Sequence, residues 1–320
     1  MYRTAVSQNY KISVEGGDDV GMYALSLGYT DAKSTMKNND MSRLNLRFNT
    51  DIKIGTKITT ALDISYNQTS YNILDNGWSE NYNQQNIGSV NVLGLVQAPF
   101  ISPYSYYVDT DANNKASLKL SQDWAGKYAS TATLSEYIKN PFMFSQHLSE
   151  VNEVARNPYW ILENGHGDNK NYAEQTQINI NVCPKYQINK DWAISNRFNF
   201  SLNRNNEKYF LPIAGATPYA IKDQGDITSV LKSQFSKQTT INNNFRIDYS
   251  HQWDEHTFAA FAGWRVNSYN YSYSYLQGFN NEQDKLPNIE KNMQFISSNG
   301  VSDSWMDMSY YLHAGYNYAN

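Results

Sequence analysis

Three places in the chain carry residue types that do chemistry elsewhere. His251 and His256 lie five residues apart, Cys183 precedes Pro184, and Asp109-Thr110-Asp111-Ala112-Asn113 begins like a calcium-binding loop. The histidines lack the His-Glu-x-x-His spacing that brings two imidazoles to one zinc on a helix face, and they read as surface residues of a turn. The acidic run has Asn114 where a calcium loop needs glycine and Leu120 where the bidentate glutamate belongs, so it reads as an Asx-rich loop. A single cysteine excludes an internal disulfide and any cysteine-built metal site, and Cys183 reads as an inert thiol on a polar strand face. No catalytic constellation forms, so the chain reads as a non-enzyme with no cofactor and no metal.

Ligand contact falls instead to aromatic side chains. The 320 residues include 26 tyrosines, 7 tryptophans and 13 phenylalanines. Tyr and Trp present a flat apolar ring with a polar handle, which suits sugar rings and peptide side chains. Trp78, Tyr82, Tyr104, Tyr106, Tyr107 and Trp160 are the candidate ligand-binding residues, all within a stretch without strong periodicity; packing of that stretch is the competing role for each ring. A formal net charge of −4 gives no electrostatic footprint for nucleic acid.

The elements that position these residues follow from a period of two. Ile241, Phe245, Ile247, Tyr249 and Trp253 share one parity against Asn242, Asn244, Arg246, Asp248 and Ser250; after Asp254-Glu255 the alternation returns with Phe258, Ala260, Ala262, Trp264 and Val266. This is a two-faced β-hairpin. The unit recurs around Gly16 to Asp19, around Gly55 and around Asn189-Lys190, and a last strand carries Met308, Tyr310, Leu312, Tyr316 and Tyr318. Roughly nine such strands are expected. Beyond Val266 the aromatic parity switches to Tyr269, Tyr271, Tyr273 and Tyr275, which predicts either a bulge or a strand leaving its layer.

The connections decide between a water-soluble sheet and a membrane wall. Short turns alternate with long links: residues 31–40, 70–171, 204–238 and 276–305. Within residues 70–171, Ser130 to Lys139 is expected to form a short helix capped by Ser130 or Thr131. Tight turns on one rim and large loops on the other are the layout of an antiparallel transmembrane β-barrel with long extracellular loops. The apolar parity carries essentially no charge, and Trp192 and Trp253 flank short turns while Tyr29 and Tyr66 sit at the opposite strand ends, as interfacial girdles would place them. Polar-face Arg43, Arg47, Arg197 and Arg246 would then line the interior. No window approaches the roughly 18 apolar residues of a membrane helix. A soluble all-β carbohydrate-binding module is the alternative.

Particular motifs go further. Arg3-Thr4-Ala5-Val6-Ser7-Gln8-Asn9-Tyr10, Ser13-Val14-Glu15-Gly16-Gly17, Tyr23-Ala24-Leu25-Ser26-Leu27-Gly28-Tyr29, Arg43-Leu44-Asn45-Leu46-Arg47-Phe48-Asn49, Asn157-Pro158 with Ile161-Leu162-Glu163-Asn164, Phe258 to Trp264 and Tyr310 to Tyr318 resemble the SusC/RagA-type TonB-dependent outer-membrane transporters. That resemblance implies energised import of oligosaccharides or peptides through a barrel of about 22 strands, closed outside by a SusD-like surface lipoprotein. It places residues 1–320 in the early barrel, as an incomplete, partial barrel with a long loop at 70–171 and no plug domain. Coupling to the TonB complex would run through that missing plug, and outer-membrane lipid would surround the wall. With no signal peptide visible, an internal segment of a larger barrel is expected.

Overall fold

The computed structural model describes residues 2–72, 106–110, 112–120, 171–211, 219–221, 225–227, 229–283 and 288–318. Thirteen strands are present among them: β1 (Ser7–Gly17), β2 (Gly21–Ala32), β3 (Met41–Ile54), β4 (Ile58–Asn72), β5 (Tyr106–Thr110), β6 (Ala116–Leu120), β7 (Tyr172–Gln187), β8 (Trp192–Leu211), β9 (Tyr219–Ile221), β10 (Gly225–Ile227), β11 (Val230–Trp253), β12 (His256–Phe279) and β13 (Gln294–Tyr318). Nine form one antiparallel sheet in the order β1-β2-β3-β4-β7-β8-β11-β12-β13, while β5-β6 and β9-β10 are separate small hairpins within the long connections. The order within this sheet is the chain order, a meander in which β4 and β7 pair across the long connection between them. The sheet is open, with β1 and β13 each paired on one side only.

Short turns are set by particular residues. Asp18 donates its backbone N–H to the Gly21 carbonyl at 2.8 Å, and its carboxylate accepts the N–H groups of Val20 and Gly21 at 2.8 and 2.9 Å. The Asn189 side chain does the same for Asp191 and Trp192, both at 2.9 Å. Asp254 takes φ 47° in the two-residue turn between β11 and β12, and Gly55 takes φ 64° between β3 and β4. Asx side chains that cap their own turn and residues tolerant of the left-handed region are what such tight links require.

Because each turn keeps directly opposite residues on one face, apolar parity meets apolar parity across every pair. One row runs Val14, Leu25, Phe48, Ile64, Ile180, Phe200, Ile241, Ser268 and Met306 across all nine strands, apolar at eight positions. These side chains point outward. Ile12 is 67% exposed, Leu312 79% and Tyr310 76%, whereas among the described residues the buried apolar set is Met36, Ala193, Phe210, Val230, Leu231, Phe279 and Met293. A soluble sandwich buries its apolar face under a second layer. Among the described residues no second sheet covers this one.

The apolar band has a measurable height. On β8 it runs from Trp192 to Leu202, ten residue steps, which at ~3.3 Å per residue and ~40° of tilt is about 25 Å, the height of the apolar band on outer-membrane barrels. Charges on the outward parity begin beyond it, at Asp31, Glu174, Arg204, Lys208 and Lys237. Burial holds the Lys208 ammonium below its ordinary pKa, and Nζ donates to Asn288 at 3.1 Å. Two uncharged amides interrupt the band: Asn196 lies opposite Phe245, and Asn243 opposite Phe198. The Asn196 side-chain oxygen is enclosed without a hydrogen-bond partner, next to the Phe245–Trp264 ring stack at 4.4 Å.

Above the band the outward face is covered by the chain itself. Phe210, Leu231 and Gly278 form one outward row, and Met293 from the β12–β13 connection packs on it with Ile289. A Cβ at Gly278 would sit 2.9 Å from the Met293 sulfur, so the glycine makes the docking place. The Asn281 N–H donates to Ser229 Oγ at 2.9 Å and fixes the start of that connection.

The strands outrun the alternation that marks them in the sequence. β8 continues to Leu211, β11 begins at Val230, β12 ends at Phe279 and β13 begins at Gln294. Beyond the band the faces meet water or the chain's own connections in place of lipid, so pairing persists while the polarity pattern fades. The bulge expected after Val266 is not there: β12 pairs with β11 without a slip from His256 to Phe279, and the irregularity lies at Gln277/Phe279 against β13. The aromatic residues change face on one continuous strand that runs out of the apolar band, the other expected outcome.

Two measurements test this arrangement on the complete barrel in lipid. Val182→Arg, at mid-band on the outward face, should lower unfolding free energy by about 2–4 kcal/mol, with inward Asn181→Arg well below that, read by guanidinium titration of tryptophan fluorescence. The N–H bonds to Asp18 hold its carboxyl below the usual carboxylate range. Its stabilisation of the turn is complete above the unfolded value of about 3.9 and is lost as pH falls through the lower folded value. The Gly21 amide NMR shift should therefore be flat from pH 5 upward and titrate only in acid, a titration that Asp18→Asn abolishes.

Candidate functional site

The other parity forms the concave face. A cavity of about 900 Å³ is lined by Asp18 and Met22 at the β1–β2 turn, Asp51 and Lys53 of β3, Cys183 and Lys185 of β7, Arg197 of β8 and Arg246 and Asp248 of β11. Strands that are not neighbours share this one space, so the sheet curls with its polar parity inside. A second cavity of about 480 Å³ lies higher, lined by Arg47, Asn49, Asp63, Ser65, Asn179, Asn181 and Asn199.

Three zones succeed each other on this face from the short turns upward. The lowest is charged. Arg246 Nε donates to Asp248 Oδ1 at 2.7 Å, and the guanidinium lies over the Phe261 ring, 3.9 Å from its centroid. Phe261 in turn stacks on His313 at 4.9 Å and meets the Tyr311 ring edge-on at 6.1 Å. Tyr311 crosses Gly263 to donate its hydroxyl to Asn244 Oδ1 on β11 at 2.5 Å. A Cβ at Gly263 would collide with the Tyr311 phenol and the Phe245 carbonyl. The glycine is therefore the gap through which β13 reaches two strands over.

The middle zone is a ladder of amides and carboxylates. Asn49, Asp63, Asn181, Asn199, Asn242, Asn267 and Asp307 stand directly opposite one another across seven strands. Asn199 donates to Asn181 at 2.7 Å, Asn242 bonds Asn267, and Asn267 donates to both Asp307 oxygens at 3.1 and 3.0 Å. An amide has two donors and an acceptor with two lone pairs, so each link leaves hydrogen-bonding capacity turned toward the concave space.

The upper zone is aromatic. Tyr269, Tyr271, Tyr273 and Tyr275 line β12 on the concave parity, all half-buried, with Trp305 of β13 stacked on Tyr269 at 5.7 Å and 17° between planes. The Tyr275 hydroxyl donates to Gln277 Oε1 at 2.5 Å, and burial raises its pKa above the ordinary phenol value.

Arg47, Arg197 and Arg246 line the cavities as the sequence predicts, and Arg43 shares their face, opposite Thr69. The histidines belong to an aromatic belt on the short-turn rim. Trp192–Tyr249, Tyr249–His251, His251–Trp253, Trp253–His256 and His256–Tyr318 follow one another with ring centroids 4.7 to 6.4 Å apart. His251 Nδ1 lies 3.0 Å from Asp191 Oδ1, and His256 Nδ1 lies 2.6 Å from the Tyr316 hydroxyl. Such rings at a membrane–water boundary are the interfacial girdle expected there. Among the described residues no group of three or more His, Cys, Asp or Glu is placed to hold a metal.

Of the candidate ligand aromatics, Trp78, Tyr82, Tyr104 and Trp160 lie outside the described residues, as does the helix expected at 130–139. Tyr106 and Tyr107 fall in β5, paired with Leu120 and Lys119, with only their backbone described. Asn114, in the turn between β5 and β6, takes φ 61° in the left-handed region, and the run from Asp109 is a hairpin. Phe261, Tyr311 and Trp305 were not singled out by the sequence. The signal that would have found them is cross-strand register, which a single chain's periodicity does not contain.

No family model matches the sequence, and no match is found among the curated proteins. Solved structures do match. The chain is similar to the RagAB peptide importer in its open-open state, with 15% identity and a TM-score of 0.59 over 99% of this chain and 30% of that one. It is similar to the same importer in its closed-closed state, with 15% identity and a TM-score of 0.57 over 99% of this chain and 31% of that one. The chain spans about 30% of the length of these importer chains. At such identity the likeness is one of fold: the nine-stranded sheet is built as a stretch of an outer-membrane transporter's barrel wall.

Gly263→Ala should displace Tyr311 and destabilise the wall by about 1–3 kcal/mol, whereas Tyr311→Phe, which keeps the ring and loses the Asn244 bond, should cost about 1 kcal/mol. Guanidinium midpoints of the two variants in the same lipid would order them.

Proposed function

We propose that this chain forms part of the barrel wall of a TonB-dependent importer of the SusC/RagA type in the outer membrane, and that its concave face lines the route taken by oligosaccharides or peptides. The observation that carries the reading is the outward apolar band that spans nine strands without an ionised side chain, backed by a polar, cavity-lined inner face. A sheet of this kind needs lipid on one side and an aqueous interior on the other. Its open edges at β1 and β13 would be met by further strands of the same barrel, since an unpaired edge in hydrocarbon leaves backbone groups unsatisfied.

The partners that belong to this reading are outer-membrane lipid, a SusD-like surface lipoprotein over the long-loop rim, and the TonB complex acting through a plug inside the wall. The likeness to the RagAB peptide importer supports peptide-sized cargo. The long-connection aromatics Trp78, Tyr82, Tyr104, Tyr106, Tyr107 and Trp160 are proposed to meet that cargo outside the barrel.

The test is fractionation followed by uptake. The protein should remain with the outer membrane through carbonate extraction and show heat-modifiable mobility on gels. Uptake of labelled oligosaccharides or peptides should fall to background on deletion and equally on loss of TonB. A monodisperse protein in the soluble fraction without detergent would sink the proposal.

A further inference from the structure

Between Val266 and Tyr275 the polarity of β12 inverts. Up to Val266 its outward positions are Phe258, Ala260, Ala262, Trp264 and Val266; from the upper edge of the band onward they are Ser268, Asn270, Ser272 and Ser274, and the rings stand on the concave side. Strand pairing is unbroken through this change, so it is a change of face and no accident of register. At ~3.3 Å per residue and ~40° of tilt, Tyr275 stands about 15 Å above Tyr269. Aromatic area turned away from lipid needs another partner.

The surroundings indicate the chemistry of that partner. Tyr269 lies in a row with Asn179, Ser201 and Thr240; Tyr271 with Gln177, Asn203 and Gln238; Tyr273 with Gln175, Asn205 and Ser236. On β7, β8, β11 and β12 these three rows carry no ionised side chain. They present amides and hydroxyls, groups that both donate and accept. Asp303 stands directly opposite Tyr271 on β13, and Trp305 extends the Tyr269 ring into a two-ring platform. Flat rings beside a dense uncharged hydrogen-bonding field and one flanking carboxylate match a polyhydroxylated ring: the C–H face stacks, and the hydroxyls find donors and acceptors on either side. A peptide with charged termini and side chains would meet only Asp303 beside the rings, since the next charges in these rows, Arg47 and Arg43, lie five strands away on β3.

Resting on the reading of the chain as an importer wall, we propose that Tyr269, Tyr271, Tyr273 and Trp305 form a binding subsite for uncharged oligosaccharides on the barrel's inner wall, starting at the upper edge of the apolar band and distinct from the long-connection aromatics. Tyr271 and Trp305 supply the stacking faces, Gln238 and Asn203 the hydrogen bonds beside them, and Asp303 accepts from neighbouring hydroxyls.

The complete transporter, purified in detergent, is presented to an array of neutral and acidic oligosaccharides together with capped and uncapped hexapeptides. Neutral oligosaccharides should be retained. Tyr271→Ala and Trp305→Ala should each weaken the retained oligosaccharide roughly three- to tenfold, while Tyr271→Phe stays near the parent. Each variant is first checked for the parent's outer-membrane level and heat-modifiable mobility. Retention of peptides or acidic oligosaccharides alone, retention of nothing, or neutral retention indifferent to both alanine variants overturns the subsite. So does a loss of barrel assembly shared by Tyr271→Ala and Trp305→Ala, since it assigns the rings to packing against an interior domain. TonB-dependent peptide uptake without oligosaccharide retention removes the subsite and leaves the importer; a soluble protein removes both.

Discussion

Everything in this structure depends on the backbone's need for hydrogen bonds where no water supplies them. Hydrocarbon leaves each unpaired N–H or C=O costing several kcal/mol, so a membrane wall of strands must pair every strand on both sides over the height of the lipid. Between its two edges the meander meets that need: β1, β2, β3, β4, β7, β8, β11, β12 and β13 lie side by side in chain order, and each short turn is closed by its own residues, the Asp18 carboxylate, the Asn189 amide, Gly55 and Asp254. Turn chemistry thereby fixes register, and register fixes which face every side chain takes.

Once register is set, polarity sorts itself. The row from Val14 to Met306 faces lipid and the row from Asn49 to Asp307 faces the interior, though they are neighbouring rows of one sheet. The two surfaces have opposite requirements. Outside, uniform apolarity suffices, and even the Phe245–Trp264 stack over Asn196 serves it by shielding an amide. Inside, the wall varies with height: ion pairs and the Arg246–Phe261–His313 stack near the turns, amides at the middle, tyrosines above. A passage that changes character along its axis can hold different parts of a ligand or of an interior domain at different depths, which a uniform wall would not do.

Much of this was legible in the residues. The period of two, the uncharged parity and the alternation of short and long links gave the sheet, its two faces and its orientation, because lipid imposes the same demand on every strand and so repeats the signal. Legibility stopped where that demand stopped. Above the band the faces meet water or the chain's own connections, and nothing in the pattern of residues 204–211, 230–238 or 276–279 announces a strand, although pairing continues through all of them. The tyrosines from Tyr269 to Tyr275 were visible as a shift of parity, yet a bulge and a change of face look alike in one strand's sequence; only the unbroken pairing with β11 separates them.

The sequence by itself determined what each strand needs on its two sides, since that is a property of residues two apart on one segment. Which residues of different strands stand together was decided by tertiary structure alone. Tyr311 reaching Asn244 across Gly263, Trp305 on Tyr269, and seven amides and carboxylates in one line all depend on how far each strand slides past its neighbour. That slide is set by turn geometry and by the summed pairing of nine strands, and no single stretch of chain contains it.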